Sequence, residues 1–298
     1  TSAHPNADLI AWVQAQLVAM GAKVQIIENA EGSKANLFAT IGPGDRGGVM
    51  LSGHTDVVPV AGQIWTVPAF VMTRKDGKIY GRGSADMRGF VAAMLSAAKK
   101  ASGQNLRTPL HLALSYDEEI GCIGVRSMID MLSAAPHLPL MCVVGEPTGL
   151  AVATGHKGKM AARARFTGRA GHSALAPFAV NALYLANDFI TILRDVQADL
   201  QASGGQDADY DVPYTTLHVG RISGGGALNI VPHHCELDFE IRNLAQDDPQ
   251  EILQRLKRAA QQIADTARTD APEASVEIEV FNTYPGLDTP PAHLCVRY

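Results

Sequence analysis

GGVMLSGHTD, residues 47–56, is a short apolar run that stops at a histidine and an aspartate. Apolar runs of this length, without the two-residue alternation of a half-wet strand, read as buried strands of a parallel sheet. Two other segments share the build. PLHLALSYDEE at 109–119 runs into three acids, and LMCVVGEP at 140–147 stops at a glycine and a glutamate. Helical periodicities lie around and between them, at 9–20 (LIAWVQAQLVAM), about 86–101 (DMRGFVAAMLSAAKKA) and about 124–134. Strand and helix therefore alternate, the pattern of an α/β domain with a mainly parallel sheet. KVQII at 23–27 and NLFATI at 36–41 supply further strands, and FVMTRKDGKIY at 70–80 predicts a hairpin around Asp76-Gly77.

Beyond residue 157 the pattern changes. KMAARARFT at 159–167 alternates apolar and polar, which predicts an antiparallel strand with one wet face. A helix at 180–196, strands near 215–222 and 233–242, a helix at 249–268 and a strand at 275–283 follow. That order, β-α-β-β-α-β, is a ferredoxin-like unit. The expected organisation is a catalytic metal-binding domain over 1–157 that resumes at 285–298, interrupted by an inserted domain over 158–284.

Composition narrows the function. The chain has 298 residues, 46% of them hydrophobic, enough for a large core, and a net charge of −5. No stretch gathers Lys and Arg, which excludes a nucleic-acid or anionic-membrane partner as the expectation. No apolar run approaches the roughly 18 residues of a membrane span. Cys122, Cys142, Cys235 and Cys295 are far apart and form no C-x-x-C pair, so reduced, mostly buried thiols and a cytoplasmic setting are expected.

The chemistry gathers where strands end, the edge at which open α/β sheets bind ligands. His54 and Asp56, Asp86 after the hairpin, Glu118 and Glu119, and Glu146 all fall there. Singly, each reads as a surface accident or a solvated face. Together, several carboxylates and one imidazole on one edge would repel unless a cation neutralised them, and a mixed His/Asp/Glu set suits zinc or a related transition metal. No H-E-x-x-H or G-x-S-x-G is present, and the glycines at 224–226 lack the rest of a phosphate-binding motif.

Ser52-Gly53-His54-Thr55-Asp56-Val57-Val58-Pro59, Gly81-Arg82-Gly83-Ser84-Ala85-Asp86-Met87-Arg88-Gly89, Asp117-Glu118-Glu119 and Gly145-Glu146-Pro147-Thr148 occur in order. Together they resemble the di-zinc aminoacylase and metallopeptidase family, over nearly the whole chain. Within it, Gly155-His156-Lys157-Gly158 and Gly224-Gly225-Gly226-Ala227-Leu228-Asn229 look most like the members that deacetylate acetylornithine. The resemblance implies an amide hydrolase with two zinc ions, cobalt being an alternative metal. The runner-up substrates are a succinylated diamino acid, another N-acyl amino acid or a dipeptide. A non-catalytic binding or dimerisation relative is the rival outside the class.

The resemblance also implies roles. His54 and Glu146 would hold one zinc, Glu119 the other, and Asp86 would bridge them. Asp56 would accept a hydrogen bond from the second ring nitrogen of His54 and fix its tautomer. Glu118 would be the general base toward water and would return the proton to the leaving amine. His172, read by itself, is a turn histidine capping the next helix. The family match makes it an oxyanion donor reaching the other subunit of a homodimer built through the insert. Asn229 and Arg242 match substrate-contacting positions, with Lys157 a weaker candidate, although Arg242 reads equally well as a solvated charge. The family's second zinc also takes a histidine near the C-terminus, and His293 follows Pro290-Pro291 too closely to match it. The chain is therefore expected to be a fragment lacking about 70–100 residues, with at most one tightly held zinc and little deacetylase activity.

Overall fold

A computed structural model describes residues 1–297 and divides the chain into two compact units. One is Thr1–Val152 together with the chain from Leu294; the other is Ala153–His293.

In the first unit, α1 (Ala7–Ala19) precedes β1 (Lys23–Glu28), β2 (Ala35–Ile41) and β3 (Val49–His54). The short hairpin β4 (Thr73–Lys75) and β5 (Lys78–Tyr80) follows, then α2 (Arg88–Ser102), β6 (Leu110–Ser115), α3 (Val125–Ser133) and β7 (Met141–Val144). The hairpin turns at Asp76 and Gly77, both with positive φ, as the Asp-Gly dipeptide predicts. The main sheet has the order β1-β2-β6-β3-β7. β3 runs parallel to both β6 and β7, so the three acidic strand ends face one way, while β1 and β2 add an antiparallel edge. Ile10, Val13 and Leu17 of α1 and Val91, Met94 and Ala98 of α2 close over Leu37, Ala39, Leu112 and Leu114. Each large side chain so buried contributes about 1.5–3 kcal/mol relative to exposure.

β7 ends the sheet. Cys142, Val143 and Val144 are exposed on it. The expectation of mostly buried thiols is corrected here. Only Cys235 is buried, Cys122 and Cys295 are half-buried, and Cys142 is exposed on the edge strand β7.

The second unit runs through β8 (Gly155–His156), β9 (Gly158–Thr167), β10 (Gly171–His172), a 3-10 turn (Ser173–Phe178), α4 (Ala182–Ser203), β11 (Thr216–Gly224), β12 (Ile230–Val231), β13 (His234–Asn243), α5 (Pro249–Ala267), β14 (Ser275–Tyr284) and β15 (Leu287–Asp288). The four long strands pair antiparallel in the order β11-β13-β9-β14. With α4 and α5 as the two crossovers, this is the ferredoxin-like arrangement. The alternation of β9 and β13 buries Met160, Ala162, Ala164, Phe166, Leu237, Phe239 and Ile241 against α4 and α5. The opposite face carries Arg163 paired with Asp238 and Arg165 paired with Glu236 and Glu279.

Asn181 caps α4 and Asp248 caps α5, each accepting from a backbone N–H two residues on. α4 continues to Ser203, past the expected end at 196, because the polar residues there still favour helix and nothing breaks it before Gly204. β15 pairs with β8, Leu287 opposite His156, so residues 285–293 stay with the second unit. The division falls at 152/153 where the sequence pattern suggests 157/158. The last short helix, α6 (Leu294–Arg297), belongs to the first unit. No helix among the described residues is long and apolar enough to cross a membrane.

Candidate metal centre

His54 closes β3 and is only 2% exposed. Its Nε2 lies 3.0 Å from Asp86 Oδ1, 3.7 Å from Glu146 Oε1 and 3.8 Å from Glu118 Oε2. Two groups of donors result, His54 with Asp86 and Glu119, and His54 with Glu118 and Glu146, each with one atom per residue within 4.8 Å of the others. Four of the carboxylates named from the strand ends, Asp86, Glu118, Glu119 and Glu146, thus meet around the His54 imidazole. Glu119 beside Asp86 and Glu146 beside His54 match what the resemblance implies; the groups add that His54 belongs to both and that Glu118, implied as the base, also stands as a donor.

Local structure explains the convergence. Parallel β3, β6 and β7 deliver His54, the Asp117–Glu119 turn and Glu146 to one edge. Gly145 has to be glycine, because a Cβ there would sit 1.9 Å from the Phe90 ring of α2. The loop carrying Asp86 turns at Gly83, with φ +85°, and is tied by the Arg88 N–H donating to the Gly83 carbonyl at 2.8 Å. Met87, fully buried, accepts from the His54 backbone N–H through its sulfur at 3.2 Å.

Asp56 does more than the sequence reading assigns to it. Its backbone carbonyl lies 3.0 Å from His54 Nδ1, whereas its carboxylate is 3.6 Å away. The direct partner of the ring is therefore the carbonyl, and the carboxylate acts on His54 through charge. That carboxylate instead accepts the backbone N–H groups of Glu118 and Glu119, at 3.1 Å each, and the Ser2 hydroxyl at 2.8 Å. Burial disfavours its charge, but His54, Ser2 and the two backbone donors outweigh burial and hold its pKa at about 2. For His54 too, burial opposes the charged form. The Asp56 interaction and the charges of Glu118, Asp56 and Glu146 prevail and push its pKa up to about 9.

Glu119 and Glu146 show the cost of the gathering. Both are raised above the usual carboxylate range, first by burial and then by the neighbouring Asp86 charge. Glu119 Oε1 is buried without a hydrogen-bond partner among the described residues. An orphaned carboxylate oxygen among like charges, beside an imidazole nitrogen, fits a divalent cation of the transition series.

The remaining candidates lie on the second unit, in two places. His172 pairs with Ile230 in the β10–β12 ladder, and the Ser173 N–H donates to the Asn229 carbonyl at 2.9 Å. His172 Nδ1 accepts from the Ala174 N–H at 3.2 Å, the capping arrangement expected of a turn histidine, which leaves Nε2 for other work. Arg242 sits opposite Lys159, at the other end of β9. It donates to Glu240 at 3.1 and 3.3 Å and to the Tyr284 hydroxyl at 3.0 Å. Lys157 donates to the Tyr214 carbonyl at 2.6 Å and lies 5.8 Å from the Tyr210 ring centre. Eight residue steps of extended chain, from Lys159 to Thr167, separate the Arg242 end from the His172 end, about 26 Å. Within this unit the structure joins His172 with Asn229 and keeps Arg242 and Lys157 apart from them.

Residues 50–293 match the family model described as Peptidase family M20/M25/M40. The chain belongs to this family. Among curated relatives, the acetylornithine deacetylase of Pasteurella multocida strain Pm70 is 37% identical over 84% of this chain, and that of Shigella sonnei strain Ss046 is 33% identical over 98%. The chain spans 65% of the Pasteurella protein, 58% of the acetylornithine deacetylase from Aliivibrio salmonicida strain LFI1238 and 74% of the Shigella protein. Solved structures share the fold. The M20 family metallo-carboxypeptidase Sso-CP2 from Sulfolobus solfataricus aligns at TM-score 0.72 and 19% identity, covering 98% of this chain and 76% of that one. Aminopeptidase PepT from Bacillus cereus ATCC 10987 aligns at TM-score 0.71 and 20% identity, covering 98% and 74%.

The residues that sequence reasoning missed are supports. Ser2, Lys34 and Asp117 hold the acidic turn, and Met87 holds His54. Asp117, before Glu118-Glu119, and Met87, after Asp86, stood in the quoted motifs, while Ser2 and Lys34 had no signal. The other contacts join positions far apart in the chain.

Proposed function

We propose that this chain carries the metal centre and part of the substrate site of an amide hydrolase that removes the acetyl group from N-acetylornithine, giving ornithine and acetate. The observation that carries the reading is the ring of Asp86, Glu118, Glu119 and Glu146 around His54, with one carboxylate oxygen left orphaned. The curated relatives named acetylornithine deacetylase support the choice of substrate. A second reading, hydrolysis of another N-acyl amino acid or a dipeptide, is favoured by structural neighbours such as human carnosine dipeptidase 1, which covers 96% of this chain.

The family resemblance supports His54, Asp86, Glu119 and Glu146 as the holders, all of them members of the two donor groups, with zinc preferred and cobalt an alternative. Zinc bound there would polarise the acyl carbonyl and acidify water. Glu118, 38% exposed and 3.8 Å from His54 Nε2, takes the proton from the attacking water and returns it to the departing α-amine. Asp56 keeps the Glu118 and Glu119 backbone in register for that exchange. His172 donates through its free ring nitrogen to the developing oxyanion, supplied from the insert of a second subunit in a homodimer. Arg242 offers donors for the substrate carboxylate with Lys157 as a further polar contact at its end of the sheet, and Asn229, which stays with His172, would reach the substrate together with it from the second subunit. The lack of paired cysteines supports a reducing, cytoplasmic setting.

A panel of acetylated, succinylated and dipeptide substrates on the zinc-loaded chain, with metal content measured in parallel, tests the reading. Acetate release from N-acetylornithine above the other substrates is expected. A metal-loaded chain that cleaves only dipeptides moves the assignment to the second reading, and a chain that holds no metal removes both.

A further inference from the structure

A closed ring of hydrogen bonds braces the acidic edge from behind. Lys34, on the turn entering β2, is 16% exposed and donates to both oxygens of Asp117 at 2.7 Å and to the Ser2 carbonyl at 2.6 Å. The Ser2 hydroxyl donates to Asp56 Oδ2 at 2.8 Å, and Asp56 accepts the N–H groups of Glu118 and Glu119. Glu118 follows Asp117 in the chain, so the ring closes on itself. Asp117 has φ +53°, in the left-handed region that a residue with a Cβ enters only when held there. Its side chain, 12% exposed, has the Lys34 ammonium as the charge that offsets it. That ammonium touches both the Asp117 and the Ser2 sides of the ring.

We propose that Lys34 is a positioning residue for Glu118 and Glu119, gripping Asp117 so that the left-handed turn sets where the two neighbouring carboxylates point. Without the ammonium, Asp117 moves toward water and its backbone relaxes to an ordinary φ. The peptide between Asp117 and Glu118 then rotates, and the Glu118 and Glu119 N–H groups leave Asp56. Both carboxylates lose their placement, although Lys34 touches neither of them. The inference rests on the proposed function for what the two glutamates do, while the brace itself needs no metal.

Lys34→Met removes the charge and keeps most of the length. Because it strands a buried carboxylate, it is paired with a Lys34→Met, Asp117→Asn double variant, in which asparagine still tolerates the left-handed backbone. Two readouts are used: amide hydrogen exchange in metal-free protein, and cobalt(II) titration followed by the visible spectrum. Both variants should exchange the Glu118 and Glu119 amides about tenfold faster or more, with the Leu112 and Leu114 amides of β6 unchanged. Cobalt affinity should fall about 10–100-fold, as loss of an outer partner does elsewhere, with a changed visible band. Lys34→Arg, which keeps the charge and can grip both Asp117 oxygens, should restore most of both. Unchanged exchange at Glu118 and Glu119, or equal loss of protection in β6, overturns the brace. Failure of the unsubstituted chain to bind cobalt counts against the metal reading instead, and the exchange result then decides the brace alone.

Discussion

The open face of the second unit's sheet and the strand-end edge of the first unit are both densely charged, yet they are built on opposite terms. On the sheet face, charge is answered by charge: Arg163 meets Asp238, Arg165 meets Glu236 and Glu279, and Lys159 meets Glu240. Such half-exposed pairs contribute little each, typically below about 1 kcal/mol, and keep a wet face polar. At the edge, four carboxylates crowd one buried imidazole, burial raises two of them, and an oxygen is left with no partner among the described residues. An arrangement that costs stability by itself is retained where something outside the chain neutralises it. The contrast separates a structural use of charge from a functional one.

Removing the imidazole should break the contrast most severely. His54 belongs to both donor groups, so His54→Ala should abolish tight metal binding. At 100 times the dissociation constant, metal stabilises a protein by about 2.7 kcal/mol, and this gain should vanish in thermal unfolding with and without zinc. Unaltered zinc stoichiometry would place the metal elsewhere. Because Nε2 can serve one ion at a time, the unsubstituted chain should hold one zinc tightly by elemental analysis.

Glu118→Gln sharpens the comparison, since Glu118 stands in a donor group yet is assigned proton transfer. Turnover should drop about 10²–10⁴-fold with zinc retained; loss of zinc as well would make Glu118 a ligand. His172→Ala should also lower turnover without touching metal content. Mixing the two variants should recover part of the activity if the histidine comes from a second subunit. No recovery after verified subunit exchange would end that assignment.

A smaller effect concerns protons. His54, with a pKa pushed up to about 9, is protonated at neutral pH without metal, and a metal must displace that proton. Affinity should therefore rise with pH, about tenfold per unit below 9, and level off above it. Calorimetric titrations in buffers of different ionisation enthalpy should show net proton release at pH 7. Affinity independent of pH between 6 and 8 would mean that His54 is already neutral.

The smallest effect belongs to the answered charges. Arg163→Met on the sheet face should cost less than about 1 kcal/mol in denaturant unfolding and leave zinc binding unchanged. A loss several times larger would show that the ladder supports the fold, and the two regions would differ less than argued.

Much of this was legible in the sequence because the signals are local. The apolar run at 49–54 and the alternation at 159–167 each set a strand and its type, and the Asp76-Gly77 turn set a hairpin, through contacts spanning a few residues. The strand-end acids were legible because a parallel sheet sends its carboxyl ends to one side. What pattern could not show was any contact joining distant positions. The β10–β12 pairing is two residues long, too short for periodicity, and the return of Leu287 beside His156 carries no composition signal. Likewise, no spacing relates Ser2, Lys34 and Asp117.

By itself, then, the sequence determined the order of the long elements, the ferredoxin-like insert and which acids share an edge with His54. Each of these follows from periodicity and the direction in which a strand must end. Only the tertiary structure decided which carboxylate stands beside which, that the Asp56 carbonyl and not its carboxylate meets the ring, and that Lys34 closes the turn behind Glu118 and Glu119. Those are matters of ångströms between residues tens of positions apart, and such distances are set by packing, which no local pattern encodes.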